Sequence, residues 1–242
     1  MNEDLSQMLA NLHLGWMAPT IAQEVAQATK EQAPYEVFLA RLMRAQYHQQ
    51  QENALAYRIN QARLPEKWTL DSFPFHLQPG VNKREMKTFV ELDFIAKGEN
   101  IVFMGPTGVG KTGLASSILL KALQNGYRGL FIRAQDLFEE MFTSLADHSS
   151  RKLVNRLARM DLLVCDELGY LNILPEQTNV FFRLMEERYN QRRATIITTN
   201  LEFSDWTRLL GNAALVEALL SRLRHRCHTV RIEGPSLRAP QA

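Results

Sequence analysis

Cysteine is scarce in this chain: Cys165 and Cys227 are the only two in 242 residues. A disulfide framework of the kind that builds small secreted scaffolds is therefore excluded. Long apolar runs are missing too. No stretch approaches the roughly 20 consecutive apolar residues that a membrane span requires. Met1 to Leu14 carries acids where a signal peptide has a basic head and an apolar run, so no partnership with a membrane is expected and a cytoplasmic location is. Charge of one sign is not in excess, since 28 Lys and Arg face 26 Asp and Glu for a net charge of +2. Bulk charge thus neither demands nor excludes an anionic partner, and a case for nucleic acid has to rest on where the cations sit. His225, Cys227 and His228 are close in sequence, but their spacing does not match zinc-site patterns. Internal repeats and low-complexity tracts are absent. What remains is an ordinary globular composition, 45% hydrophobic and 22% charged, consistent with a packed core.

Three stretches differ in character. Residues 1–64 read as a small all-α domain, rich in Ala, Gln, Leu, Glu and Arg, with Pro19 and Pro34 placed where helices can begin. From Pro34 to Arg63 neither Pro nor Gly intervenes; wholly helical, that run would extend about 45 Å at 1.5 Å per residue. Phe38, Leu39, Leu42 and Met43 recur at helical spacing and predict an apolar face, whereas Gln46 to Asn53 is almost entirely polar. Such a helix is expected to leave its own core and reach toward something else. Residues 65–82 are punctuated by Pro65, Pro74, Pro79 and Gly80 and carry Trp68, Phe73 and Phe75. The aromatics predict an ordered strap, because a flexible linker would be rich in Gly and Ser.

Residues 83–242 alternate helix and strand. Helices are predicted over Lys83 to Ala96, Lys111 to Gln124, Gln135 to Leu145, Ser150 to Arg159, Glu176 to Gln191 and Ala213 to Arg226. Strands are predicted over Ile101 to Met104, Gly129 to Ala134, Leu162 to Cys165, Ala194 to Thr199 and His228 to Ile232. Continuous apolar strands alternating with helices predict an α/β fold, a parallel five-stranded sheet covered by helices on both faces.

Gly105-Pro106-Thr107-Gly108-Val109-Gly110-Lys111-Thr112 fits the phosphate-loop pattern G-x-x-x-x-G-K-[ST]. It follows a predicted strand and opens a predicted helix, as that loop must. The glycines let the backbone curl so that successive N–H groups face a phosphate, and the helix aims its positive end at the same anion. Lys111 can reach the β- and γ-phosphates, and the Thr112 hydroxyl can ligate Mg²⁺. Candidate ATP-binding residues are therefore Gly105, Pro106, Thr107, Gly108, Val109, Gly110, Lys111, Thr112 and Gly113. Leu162 to Glu167 is an apolar strand ending in two acids, which at the C-terminal edge of a parallel sheet fall beside the phosphates. Asp166 is assigned to Mg²⁺, directly or through water, and Glu167 to polarising the attacking water. In the polar triplet Thr198-Thr199-Asn200 at the end of the next strand, Asn200 is assigned to the γ-phosphate and that water. Cys165 reads as an inert core residue.

These motifs resemble the IstB family, helper ATPases encoded beside the transposase of certain insertion sequences, and more distantly the DnaC helicase loaders. The resemblance rests on Asn100 to Thr112, Val164 to Leu171 and Ile197 to Asn200. It is extended by Ala218 to Leu223 and Glu233 to Arg238, and more loosely by Phe38 to Leu42. It implies an AAA+ P-loop ATPase behind a helical N-terminal domain, with ATP at the interfaces of a homo-oligomer. By position it makes Arg222 the arginine finger given to a neighbour and Arg238 the second sensor arginine. A guanidinium suits both tasks, being permanently charged and able to fork onto phosphate oxygens. Only four residues follow Arg238, so no C-terminal lid domain is expected, a truncation the IstB group shares. The family's Glu-Ser-Tyr-Arg pattern is Pro235-Ser236-Leu237-Arg238 here.

The resemblance also implies ATP-dependent, sequence-tolerant binding of duplex DNA and its presentation to a cognate transposase. Ser149, Ser150, Arg151 and Lys152 open a predicted helix that continues through Arg156 and Arg159; cations, hydroxyls and free N–H groups there suit a DNA phosphate. Arg41, Arg44, Arg58, Arg63 and Lys67 form a second basic set. A replicative helicase loader shares every ATPase element and differs in its partner. A small-molecule phosphotransferase would need an acceptor pocket and lid, for which the sequence offers no candidate.

Overall fold

A computed structural model describes residues 3–15, 17–169 and 171–238. Met1 and Tyr170, which entered the sequence reading, lie outside the described residues. The chain divides into two compact units, residues 1–57 and 58–242.

The first unit is helical: α1 (Glu3–Asn11), α2 (Met17–Glu31) and α3 (Tyr35–Gln61), the last continuing into the second unit. Its core is small, made of Leu9, Met17 and Leu42 with Leu14, Ile21 and Phe38 packed against them. Of the apolar face read on α3, Phe38 and Leu42 enter this core. Leu39 and Met43 do not, being 56% and 48% exposed. The two pairs are parallel stripes one residue apart around the helix, and a three-helix core of this size covers one of them.

The second unit follows with α4 (Lys83–Val90), α5 (Asp93–Lys97), β1 (Asn100–Met104), α6 (Lys111–Gln124), β2 (Gly129–Arg133), α7 (Ala134–Ala146) and α8 (Ser150–Ala158). It continues with β3 (Leu162–Leu168), α9 (Pro175–Asn190), β4 (Ala194–Thr199), α10 (Trp206–Leu210), α11 (Ala213–His225) and β5 (Cys227–Arg231). All strand pairs are parallel, in the order β2-β3-β4-β1-β5. Val102, Ile132, Cys165 and Ile197 face one side and share a core with α7 to α11. Ile101, Phe103, Phe131, Val164 and Ile196 are equally buried. By alternation they face the other side, where α6 packs across β2, β3 and β4.

Three elements differ from the sequence reading, the first being β3, which runs past the predicted Cys165 to Leu168 and takes in both acids. The helix predicted over Lys83 to Ala96 is two helices, broken where Leu92 adopts φ +69°. The break lets Met86, Phe89, Leu92, Phe94 and Ile95 all reach the core, which a straight helix with one apolar stripe could not do. The five-residue α10 has no predicted counterpart, and it buries Trp206 completely.

The strap crosses the C-terminal edge of the sheet. At one end, just before the strap begins, the Phe131 N–H, on edge strand β2, donates to the Ala62 carbonyl at 2.7 Å. At the other the buried Gln78 amide Nε2 donates to the carbonyls of Val109, in the loop after β1, and Pro235, just beyond β5, at 3.2 and 3.1 Å. Between these ends Phe73 is buried and stacks edge-on against Phe75.

Candidate nucleotide site

The loop between β1 and α6 takes a shape that only glycine adopts easily. Gly108 and Gly110 have φ of +88° and +97°. A Cβ at Gly108 would sit 2.1 Å from the Ser236 hydroxyl, and one at Gly110 would strike the Phe73 ring at 2.6 Å. The strap and the segment after β5 therefore close on the loop from two sides. The Leu237 N–H donates to the Gly108 carbonyl at 2.8 Å and fixes the second of these contacts.

Lys111, the first residue of α6, is largely buried. Its Nζ donates to the carbonyls of Gly105 and Pro106 at 2.7 and 2.6 Å. Burial holds its pKa below the usual lysine value; Asp166 and Glu167 oppose that shift, and Arg238 adds to it. The Thr112 hydroxyl lies 3.0 and 3.1 Å from the two Asp166 carboxylate oxygens. Burial pushes Asp166 above the usual carboxylate range, against the hydroxyl bonds from Thr198 and Thr112. Thr198 Oγ1 donates to Asp166 Oδ1 at 2.6 Å. Asn200 is exposed at the end of β4 and lies over Gly169, its Oδ1 2.7 Å from where a Cβ of that glycine would stand.

These groups line one cleft of about 590 Å³. Of the sequence-predicted residues it gathers Thr107, Gly108, Gly110, Lys111, Thr112, Gly113, Asp166, Glu167, Asn200 and Arg238. Gly105 and Pro106 line an adjoining hollow that also touches Asn200, and Val109 is buried beneath the loop. Arg222 stands apart on the last turn of α11, half exposed, with Nη2 3.4 Å from Glu186 Oε1. Cys165, one residue before Asp166, is core, and burial pushes its thiol up to about 12.

The cleft also contains groups to which the sequence reading gave no role there: Trp68 and Phe73 from the strap, Phe131 and Arg133 from β2, and Leu237. Trp68 and Phe73 are visible in the sequence as aromatics among prolines; only the course of the strap turns them toward the loop.

At α8 the groups expected to be free are partly engaged. The Ser149 N–H donates to Asp147 Oδ1 and to the Ser144 carbonyl, and the Ser150 hydroxyl donates to the Ser144 carbonyl. Arg156 pairs with Glu140, which also takes Arg63. Arg151 and Lys152 are exposed and make no ion pair among the described residues. Elsewhere in the basic sets, Arg41 pairs with Glu31, and Arg58 Nε donates to the Leu123 carbonyl at 3.0 Å.

A lysine and hydroxyl at the start of a helix, below a curled glycine loop and facing two strand-end acids, have the chemistry that suits the phosphates of a nucleoside triphosphate. Residues 7–242 match the family described as IstB-like ATP binding protein. The chain belongs to this family.

Two relatives share about a third of the sequence. The IS21 putative ATP-binding protein of Pseudomonas aeruginosa is 32% identical over 97% of this chain and 88% of its own length. The IS5376 putative ATP-binding protein of Geobacillus stearothermophilus is 32% identical over 98% and 94%. Among solved structures, the replication initiator DnaA bound to AMPPCP and single-stranded DNA superposes with TM-score 0.59 at 23% identity, over 72% of this chain and 52% of that one. The DnaC helicase loader does so with TM-score 0.57 at 24% identity, over 68% and 96%. The IstB-like chain thus has the AAA+ fold of the DnaA and DnaC proteins. Among its described residues, no helix is long and apolar enough to cross a membrane.

Proposed function

We propose that this IstB-like protein hydrolyses ATP with Mg²⁺ in the cleft after β1, assembles on duplex DNA while ATP is bound, and presents that DNA to a transposase. The observation that carries the reading is the convergence of Lys111, Thr112, Asp166, Glu167 and Asn200 on one cleft. The loop amides and Lys111 bind the phosphates, and the Thr112 hydroxyl and Asp166 carboxylate would hold Mg²⁺. They fit it, being hard oxygen donors 3.0 to 3.1 Å apart at the mouth of a buried pocket. When bound, Mg²⁺ neutralises charge on the phosphate oxygens. Glu167 accepts the proton of the attacking water, and Asn200 orients that water by hydrogen bonding.

Arg222 lies outside the cleft of its own chain and is half exposed, the placement an arginine needs to complete a neighbour's site. Arg238 acts on the phosphates in its own chain. The DNA and transposase parts of the reading are supported by relatives named for insertion sequences and by the unpaired cations Arg151 and Lys152 at the start of α8, beside Ser149, Ser150 and Arg156.

The test is hydrolysis with and without duplex DNA, with particle size followed in parallel. Glu167→Gln should bind ATP as wild type does, lose turnover by about a hundredfold or more, and remain in large DNA-bound particles. Arg222→Ala and Lys111→Ala should each be inactive alone and regain turnover when mixed. Normal hydrolysis by Glu167→Gln removes the acid from the reaction, and failure of the mixture to recover argues against a shared site.

A further inference from the structure

We propose that Thr198 is a positioning residue for hydrolysis, one hydroxyl that keeps both acids at the end of β3 on the same side of the sheet. The inference rests on the hydrolytic reading above.

Side chains alternate along a regular strand, so Asp166 and Glu167 should face opposite sides. The register between β3 and β4 breaks this rule. Cys165 stands opposite Ile197 and Leu168 opposite Thr199, so Asp166 and Glu167 together face the single residue Thr198. This is a bulge, one extra residue on β3. Glu167 takes up the excess at φ +58°, a conformation rare for any residue with a side chain. As a result, both acids line the same cleft.

A bulge leaves the extra residue without a ladder partner. Here the Thr198 hydroxyl replaces that partner. The Glu167 N–H donates to Thr198 Oγ1 at 2.8 Å, and the same hydroxyl donates to Asp166 Oδ1 at 2.6 Å. Thr198 is fully buried, so water cannot substitute for it. A hydroxyl has one proton to give and lone pairs to receive, which is what this junction uses. Main-chain atoms could satisfy either acid alone. A side-chain group that both gives and receives at this point ties the backbone of Glu167 to the carboxylate of Asp166.

Among the described residues the Thr198 hydroxyl bonds Glu167 and Asp166 rather than the loop amides or Lys111, so its loss should affect turnover more than nucleotide binding. Thr198→Val keeps the branched shape and removes the hydroxyl; Thr198→Ser keeps the hydroxyl. In the full-length chain, Thr198→Val should lower kcat by about ten- to a hundredfold, the usual cost of misplacing a reacting group by a fraction of an ångström to one ångström. Its KM for ATP should stay within about threefold, the pattern of a lost transition-state interaction. Thr198→Ser should stay within about threefold of wild type in both. Added to Glu167→Gln, Thr198→Val should cost less than it does alone, because its effect through Glu167 is already lost and only its effect through Asp166 remains.

A second readout needs no turnover. Without nucleotide, amide hydrogen exchange at Glu167 should be at least about tenfold faster in Thr198→Val than in wild type or Thr198→Ser, since the N–H loses its acceptor. If Thr198→Val does not melt cooperatively, Thr198→Ala, which removes the hydroxyl with less bulk, takes its place in every arm. Wild-type kcat in the hydroxyl-free variant, an equal loss in Thr198→Ser, or unchanged Glu167 exchange overturns the positioning role and leaves the hydrolytic reading standing. A wild-type protein that hydrolyses no ATP overturns both.

Discussion

The unit of residues 58–242 buries β1 to β4 on both faces, whereas the unit of residues 1–57 closes three helices over Leu9, Met17 and Leu42. In the larger unit Ile101, Val102 and Phe103 are consecutive and all fully buried. In the smaller one Tyr35, Leu39, Met43 and Tyr47 follow one another at four-residue spacing along α3, all exposed. Small units bury a lower share of their surface than large ones, and the proposed reacting groups sit where the surroundings are fixed. Side chains are held to a fraction of an ångström only when rigid elements support them, and that support comes from the sheet.

The difference can be broken by mutation in order of expected effect. Phe103→Ala, in the centre of β1, should cost about 3–5 kcal/mol and remove nucleotide binding together with the fold, as read by urea unfolding followed in the presence of ATP. Leu42→Ala should cost about 2–3 kcal/mol, confined to a separate, earlier transition in calorimetry, with ATP affinity unchanged. Parallel loss of ATP binding would show that the two units melt as one. Leu39→Lys, on the exposed stripe, should change stability by no more than about 0.5 kcal/mol; a larger loss by thermal melting would mean that the stripe is covered in solution.

Where local pattern carries the information, the sequence reading and the structure coincide. The phosphate loop, the five strands and the acids after Leu162 to Cys165 all follow from residue type and period. The β-branched run Ala194 to Thr199 is β4 at both ends. Features set by one residue's φ or by a distant partner were not legible. Nothing near Leu92 announces that it turns left-handed and splits a helix in two. The bulge at Asp166 and Glu167 depends on the register with β4, about thirty residues later, so the pair reads simply as two acids in a row. Thr198 and Asn200 sit in one triplet, and only the fold separates them: the first is buried on β4 beside β3 and the second exposed in the cleft. Likewise the polar groups at the start of α8 look free in the sequence because Asp147 and Ser144 take them only after the turn between α7 and α8 has formed.

The strap's two attachments have a mechanical consequence. Because β2 and β5 are the outermost strands of the sheet, a segment bonded to Phe131 at one margin and, through Gln78, to Pro235 four residues beyond β5 at the other works as a tie rod across the open rim. Any widening of the rim puts tension on those few bonds first. Swelling of the pocket is therefore resisted from above as well as by the strands below, and a cut in the tie rod would loosen the mouth while leaving the floor intact.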